Sequence, residues 1–96
     1  MFLLLVKYVK PLEEVEAVLE AHKKWLDTYY QQSKFIVSGR RNPRVGGVLL
    51  AHGVTESEVK QMISEDPFVK NQLAEYEIIE FTPTKYDQRF ACFVNE

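Results

Sequence analysis

His22 follows Val15 by seven residues, Val18 by four and Leu19 by three. These spacings place it on the apolar stripe of a helix rather than on the wet face. A histidine there is either a core residue with its hydrogen bonds met or a group held ready to move a proton near neutral pH. The second role needs an orienting partner, and Asp66 is the candidate. A carboxylate can fix an imidazole tautomer and stabilise the charged ring. Asp66 also precedes Pro67, a pair that reads as an N-cap with proline at the first helical position. The two roles can coexist if the cap uses one carboxylate oxygen and leaves the other for the imidazole.

Ser38-Gly39-Arg40 is the next group. Gly39 lets the backbone approach a ligand, Ser38 can donate a hydrogen bond and Arg40 can bind a carboxylate. The alternative is a plain strand with a solvated arginine. Arg40, Arg41 and Arg44 cluster around one turn, which allows a local anion site. The remaining candidates are weaker. His52 ends a strand beside Gly53 and reads as a surface residue. Trp25, Tyr29 and Tyr30 read as core or interface packing rather than a substrate cage. Cys92 has only Arg89 near it in sequence, which disfavours a nucleophilic thiol. One cysteine and two histidines make neither an internal disulfide nor a Cys/His zinc site. No phosphate loop, dinucleotide fingerprint or serine-nucleophile motif occurs.

These residues need elements to hold them. Residues 2–9 read as a strand, with Phe2, Leu4, Val6 and Tyr8 on one face and Leu3, Leu5 and Val9 on the other. Both faces therefore need cover. Residues 11–31 read as one amphipathic helix opened by Pro11. Strands follow at 34–41 and 45–52, joined through Arg41-Asn42-Pro43-Arg44. Gly46 and Gly47 suggest a bulge or a close approach of another group. Thr55 and Glu58 match a capping box, and that helix should stop at Asp66-Pro67. Residues 67–74 read as a further short helical turn, 76–85 as a fourth strand and 89–94 as a fifth, edge strand. The order β-α-β-β-α-β plus a tail is the ferredoxin-like α+β arrangement. Two helices cover one face of its sheet; a second copy packed sheet on sheet would cover the other.

The chain of 96 residues is the length of one small domain, 1–96. It carries 12 Lys and Arg against 14 Asp and Glu, a net charge of −2 that argues against general nucleic-acid binding. Hydrophobic residues at 46% and charged residues at 27% describe an ordinary globular mixture. The opening apolar run is short, lacks a preceding basic residue and is interrupted by Lys7, unlike a signal peptide. No run reaches the ~18–20 apolar residues of a membrane span. The expectation is a cytoplasmic protein without a membrane partner.

Taken together, His22 in the first helix, Phe35-Ile36-Val37-Ser38-Gly39, Gly46-Gly47 and Asp66-Pro67-Phe68 resemble the YciI-like (YCII-related domain) family over roughly residues 1–83. The resemblance implies a dimeric α+β barrel of two ferredoxin-like protomers, with dimer against higher assembly left open. It implies an active site around His22 and Asp66; Ser38, Gly39, Arg40 and Phe68 are the expected substrate-binding residues. Similar proteins include a dehydrochlorinase acting on a chlorinated aromatic, and the wider superfamily includes muconolactone isomerase, polyketide-processing enzymes and haem-handling proteins. Several relatives have a longer, acidic connection between the second and third strands. Here it is short and basic, which favours an anionic ligand. Residues 84–96 form a C-terminal extension that extends a sheet or completes a dimer interface. The leading expectation is a lyase or isomerase acting on a small anionic organic molecule without metal or cofactor. His22 would move the proton, Asp66 would orient it, and Ser38 and Arg40 would hold an anionic oxygen. The rival readings are a non-catalytic small-anion-binding or accessory dimeric module, and a purely structural His22 and Asp66.

Overall fold

Alternation in the first strand sets the layers of the molecule. The computed structural model describes residues 1–94. Strand β1 (Phe2–Tyr8) buries Phe2, Leu4 and Val6 and leaves Leu3 and Leu5 only half covered. It is a central strand, paired antiparallel to β3 (Gly46–Ala51) on one side and to β4 (Ala74–Glu80) on the other. Strand β2 (Phe35–Arg40) pairs antiparallel to β3 at the edge, with a bulge between Phe35 and Val37. The sheet order is β2-β3-β1-β4, the ferredoxin-like α+β topology.

The helices lie on the face marked by Phe2, Leu4 and Val6. They are α1 (Leu12–Glu16), α2 (Leu19–Gln31), α3 (Glu56–Ser64) and α4 (Pro67–Lys70). Val15, Trp25, Tyr29, Val59, Met62 and Phe68 join the strand residues and Leu49 in one buried cluster. The expected N-cap of α3 forms, since the Glu58 amide donates to Thr55 Oγ1 at 3.2 Å. Gly46 sits where a Cβ would run into the Val6 carbonyl, so β1 and β3 meet there only because that position is glycine.

Four expectations are corrected. The helix over 11–31 is broken: Val18 donates back to the Val15 carbonyl, a tight i+3 turn, and the regular helix restarts at Leu19. Val15 is buried before the break, and Trp25 and Tyr29 after it. Strand β4 ends at Glu80 rather than 85. Residues 88–93 form a 3₁₀ helix, not a fifth strand, because Asp87 accepts from the Arg89 amide and starts a helical turn instead. That turn returns over the end of β3, where His52 Nδ1 donates to the Phe93 carbonyl at 3.2 Å. His52 is therefore buried rather than on the surface.

The other face of the sheet is apolar around Leu3 and turns polar toward one end, where Glu77 pairs with Leu5 and Glu75 with Lys7. Register places Leu3 opposite Leu50 and Ile79, Leu5 opposite Val48, and Val37 opposite Leu50. Val37 is 55% and Ile79 37% exposed on this face. Among the described residues no helix is long and apolar enough to cross a membrane.

Candidate active site

Helix α2 carries His22, and the N-cap of α4 carries Asp66. The two meet because α4 packs against α2. His22 Nδ1 lies 2.8 Å from Asp66 Oδ1. The Asp66 side chain is wholly buried, and that of His22 retains 12% exposure. An ionised carboxylate only accepts, so Nδ1 carries the proton and Nε2 is the ring nitrogen left for the cavity. Phe68 fixes the ring plane, stacking on His22 at 3.9 Å between centroids and 5° between planes. The Trp25 ring lies 5.4 Å from the imidazole, tilted by 31°.

Buried charge needs partners, and Asp66 has three. Oδ1 accepts from His22 and also from the Phe68 amide at 3.0 Å. Oδ2 accepts from the Tyr76 hydroxyl at 2.5 Å. The expected division of labour is thus different: cap and imidazole share one oxygen, and the second belongs to Tyr76. Burial first, then the Asp66 charge and the hydrogen bond to it, push the Tyr76 phenol far above its ordinary range. Tyr76 is therefore a permanent donor to the carboxylate.

A cavity of about 350 Å³ opens beside His22. Leu19, Leu26, Leu49 and Phe68 give it apolar walls, while Ser38, Arg40, Arg44 and Lys23 give it polar ones. His22, Ser38, Gly39, Arg40 and Phe68 all line this cavity, whereas Asp66 stands behind His22 and does not. The Ser38 hydroxyl is already paired with the Tyr30 hydroxyl at 2.7 Å. Trp25 and Tyr29 are core residues, and the Trp25 indole donates to the Met62 carbonyl at 2.9 Å. Among the described residues no three His, Cys, Asp or Glu side chains gather as metal ligands.

Three contributors escaped the sequence reading. Tyr76 orients Asp66, Tyr8 lines the cavity against Phe68, and Lys23 follows His22 into it. Strand alternation carried the signal for both tyrosines: Tyr8 shares a face with Val6, and Val6 pairs with Tyr76.

Comparison with known proteins adds two findings. The family model described as YCII-related domain matches residues 1–82. The structure of 5-chloro-2-hydroxyhydroquinone dehydrochlorinase from Burkholderia phenoliruptrix AC1100, in complex with 2,5-dihydroxybenzoquinone, is similar with a TM-score of 0.71 and 20% identity. The alignment covers 93% of this chain and 98% of that one, a likeness of fold. No curated protein sequence matches the chain.

Proposed function

The chain belongs to the YCII-related domain family, and from that premise we propose that it is a small-molecule lyase or isomerase working by proton transfer. The observation that carries the reading is the bond from His22 Nδ1 to the wholly buried Asp66, at 2.8 Å, beside a cavity that His22 lines. Neutral His22 takes a proton from a substrate carbon next to a carbonyl through Nε2. The electron pair moves onto the carbonyl oxygen, which gains negative charge. Arg40 and the Ser38 hydroxyl hold that oxygen. Asp66 stabilises the imidazolium while it lasts. The proton then returns to another atom of the substrate, completing an isomerisation, or the electron pair expels a leaving group and the imidazolium passes its proton to that departing anion, completing an elimination. The similar dehydrochlorinase, solved with a quinone bound, supports a planar organic substrate.

The working unit of this proposal is a homodimer. The face bearing Val37 and Ile79 meets its copy across a two-fold axis.

The test is hydrogen–deuterium exchange at the acidic C–H of a panel of small oxo acids and enolisable phenols in D₂O, followed by proton NMR. Exchange above the buffer rate that disappears in His22→Ala is expected. Exchange that survives unchanged in His22→Ala overturns the mechanism. Binding without exchange would place the protein among anion-binding modules, a reading favoured by the cationic lining alone.

A further inference from the structure

The charged side chains that line the cavity are of one sign. Lys23, Arg40 and Arg44 reach it and, among the described residues, no Asp or Glu does, although the chain as a whole carries a charge of −2. Cations gathered in a concave site with low-dielectric walls concentrate anions there. Arg44 differs from the other two in holding a buried nitrogen. Its Nη1 donates to Glu16 Oε1 at 3.1 Å, but Glu16 is 51% exposed. Such a pair is screened and weak. Arg44 Nε is buried and has no acceptor among the described residues. A buried N–H without an acceptor is unfavourable, and the guanidinium gains by turning toward an anion in the cavity that Arg44 lines.

We propose that the cavity selects an organic acid, and that Arg44 is the residue that reads its carboxylate. This rests on the proton-transfer reading of His22 and adds the substrate class to it. The acid carries its carboxylate apart from the oxygen held by Ser38 and Arg40. Its apolar body lies between Leu26, Leu49 and Phe68. Glu16 holds the guanidinium from outside the cavity, and the substrate carboxylate competes with it for that guanidinium. Lys23, one residue beyond His22, adds charge but no planar fork, so the shape discrimination belongs to the arginine.

The experiment is an NMR titration of the whole protein with 2,5-dihydroxybenzoate and, separately, with its methyl ester. Backbone amides report binding, and the His22 ring nitrogens report contact with the proton-transfer site. The acid is expected to bind the wild type about ten- to hundredfold more tightly than the ester, the range of one charge-assisted hydrogen bond. Arg44→Met should bring the acid down to the ester's affinity and leave the ester unchanged. Glu16→Gln should tighten the acid severalfold, on the order of the weak pair it removes, and leave the ester alone. This second variant keeps the test open if the first folds poorly. Equal affinities for acid and ester in the wild type, an acid preference that survives Arg44→Met, or no binding of either compound overturns the proposal. If both compounds bind equally while the His22 nitrogens shift, the acid class falls and the proton-transfer reading stands. If the acid preference holds while those nitrogens stay still, the proton-transfer reading falls and Arg44 remains an anion clamp.

Discussion

Tyr76 donates its hydroxyl to Asp66 Oδ2 at 2.5 Å, on the side of the carboxylate away from His22. The wholly buried charge is thereby satisfied on both oxygens. Tyr76→Phe leaves one oxygen without its donor in a place water does not reach. The expected loss is about 1–3 kcal/mol, read by urea unfolding. No loss at all would mean that a water takes over the Tyr76 position.

Asp66→Asn separates the cap from the charge. Asparagine caps a helix as well as aspartate does, so α4 should survive. The imidazole loses its charged acceptor, and the Nδ1-protonated tautomer loses its advantage. Nitrogen-15 shifts of the His22 ring at one fixed pH should show the tautomer mixture change. Any His22-dependent proton exchange should fall by up to about 10⁴-fold, the worth of the carboxylate partner of a catalytic histidine.

Tyr29, two turns along α2 from His22, donates to Glu65. That bond, with a further one from Gln61, holds the Glu65 carboxyl below its ordinary value of 4.5. Burial, then the bond and charge of Glu65, pushes Tyr29 from 10.0 up to about 12. Folding thus favours the carboxylate and the neutral phenol. The Glu65 contribution is full above 4.5 and fades as the pH falls through its lowered folded value. The Tyr29 contribution is full below 10.0 and fades as the pH rises through about 12. Tyr29→Phe should cost about 0.5–1 kcal/mol at neutral pH, small because the pair is partly solvated. Its deficit against wild type should shrink as the pH is taken well below 4.5 in denaturation experiments.

Gly46→Ala places a methyl against the Val6 carbonyl between two central strands. The strands must part to admit it, and the expected penalty is about 1–3 kcal/mol. A lowered thermal midpoint checks this. Since Gly46 also lines the cavity, ligand affinity should drop with it.

Val37→Glu combined with Ile79→Lys tests the proposed dimer. Both residues stand exposed on the open face of the sheet. Charges there should shift the protein toward a monomer by light scattering while the far-ultraviolet circular dichroism stays the same. A wild type that is already monomeric at micromolar concentration removes the dimer from the proposal.

The sequence was most legible where a rule is local. Alternation in residues 2–8 gave the buried face of β1, Thr55 with Glu58 gave the start of α3, and Asp66-Pro67 gave the start of α4. His22 and Asp66 are 44 positions apart, and no local rule brings them together. The packing of α4 on α2 does so, and family resemblance was the only hint of it in the residues. Two misreadings share one cause. The aromatic and β-branched content of 89–94 suggested a strand, but Asp87 turns the chain helically, and that turn covers His52. Neither outcome is visible without knowing where the tail lands. The break at Val18 is likewise a tertiary effect, since periodicity runs through it uninterrupted.

The sharing of Asp66 Oδ1 by the Phe68 amide and by His22 has one more consequence. Helix α4 is four residues long, too short to persist without its anchored end. Fraying of α4 and dissolution of the His22–Asp66 contact are therefore a single opening event. The solvent exchange of the Phe68 amide is a clock for that event. It reports, in any variant and without a substrate, how often the site comes apart.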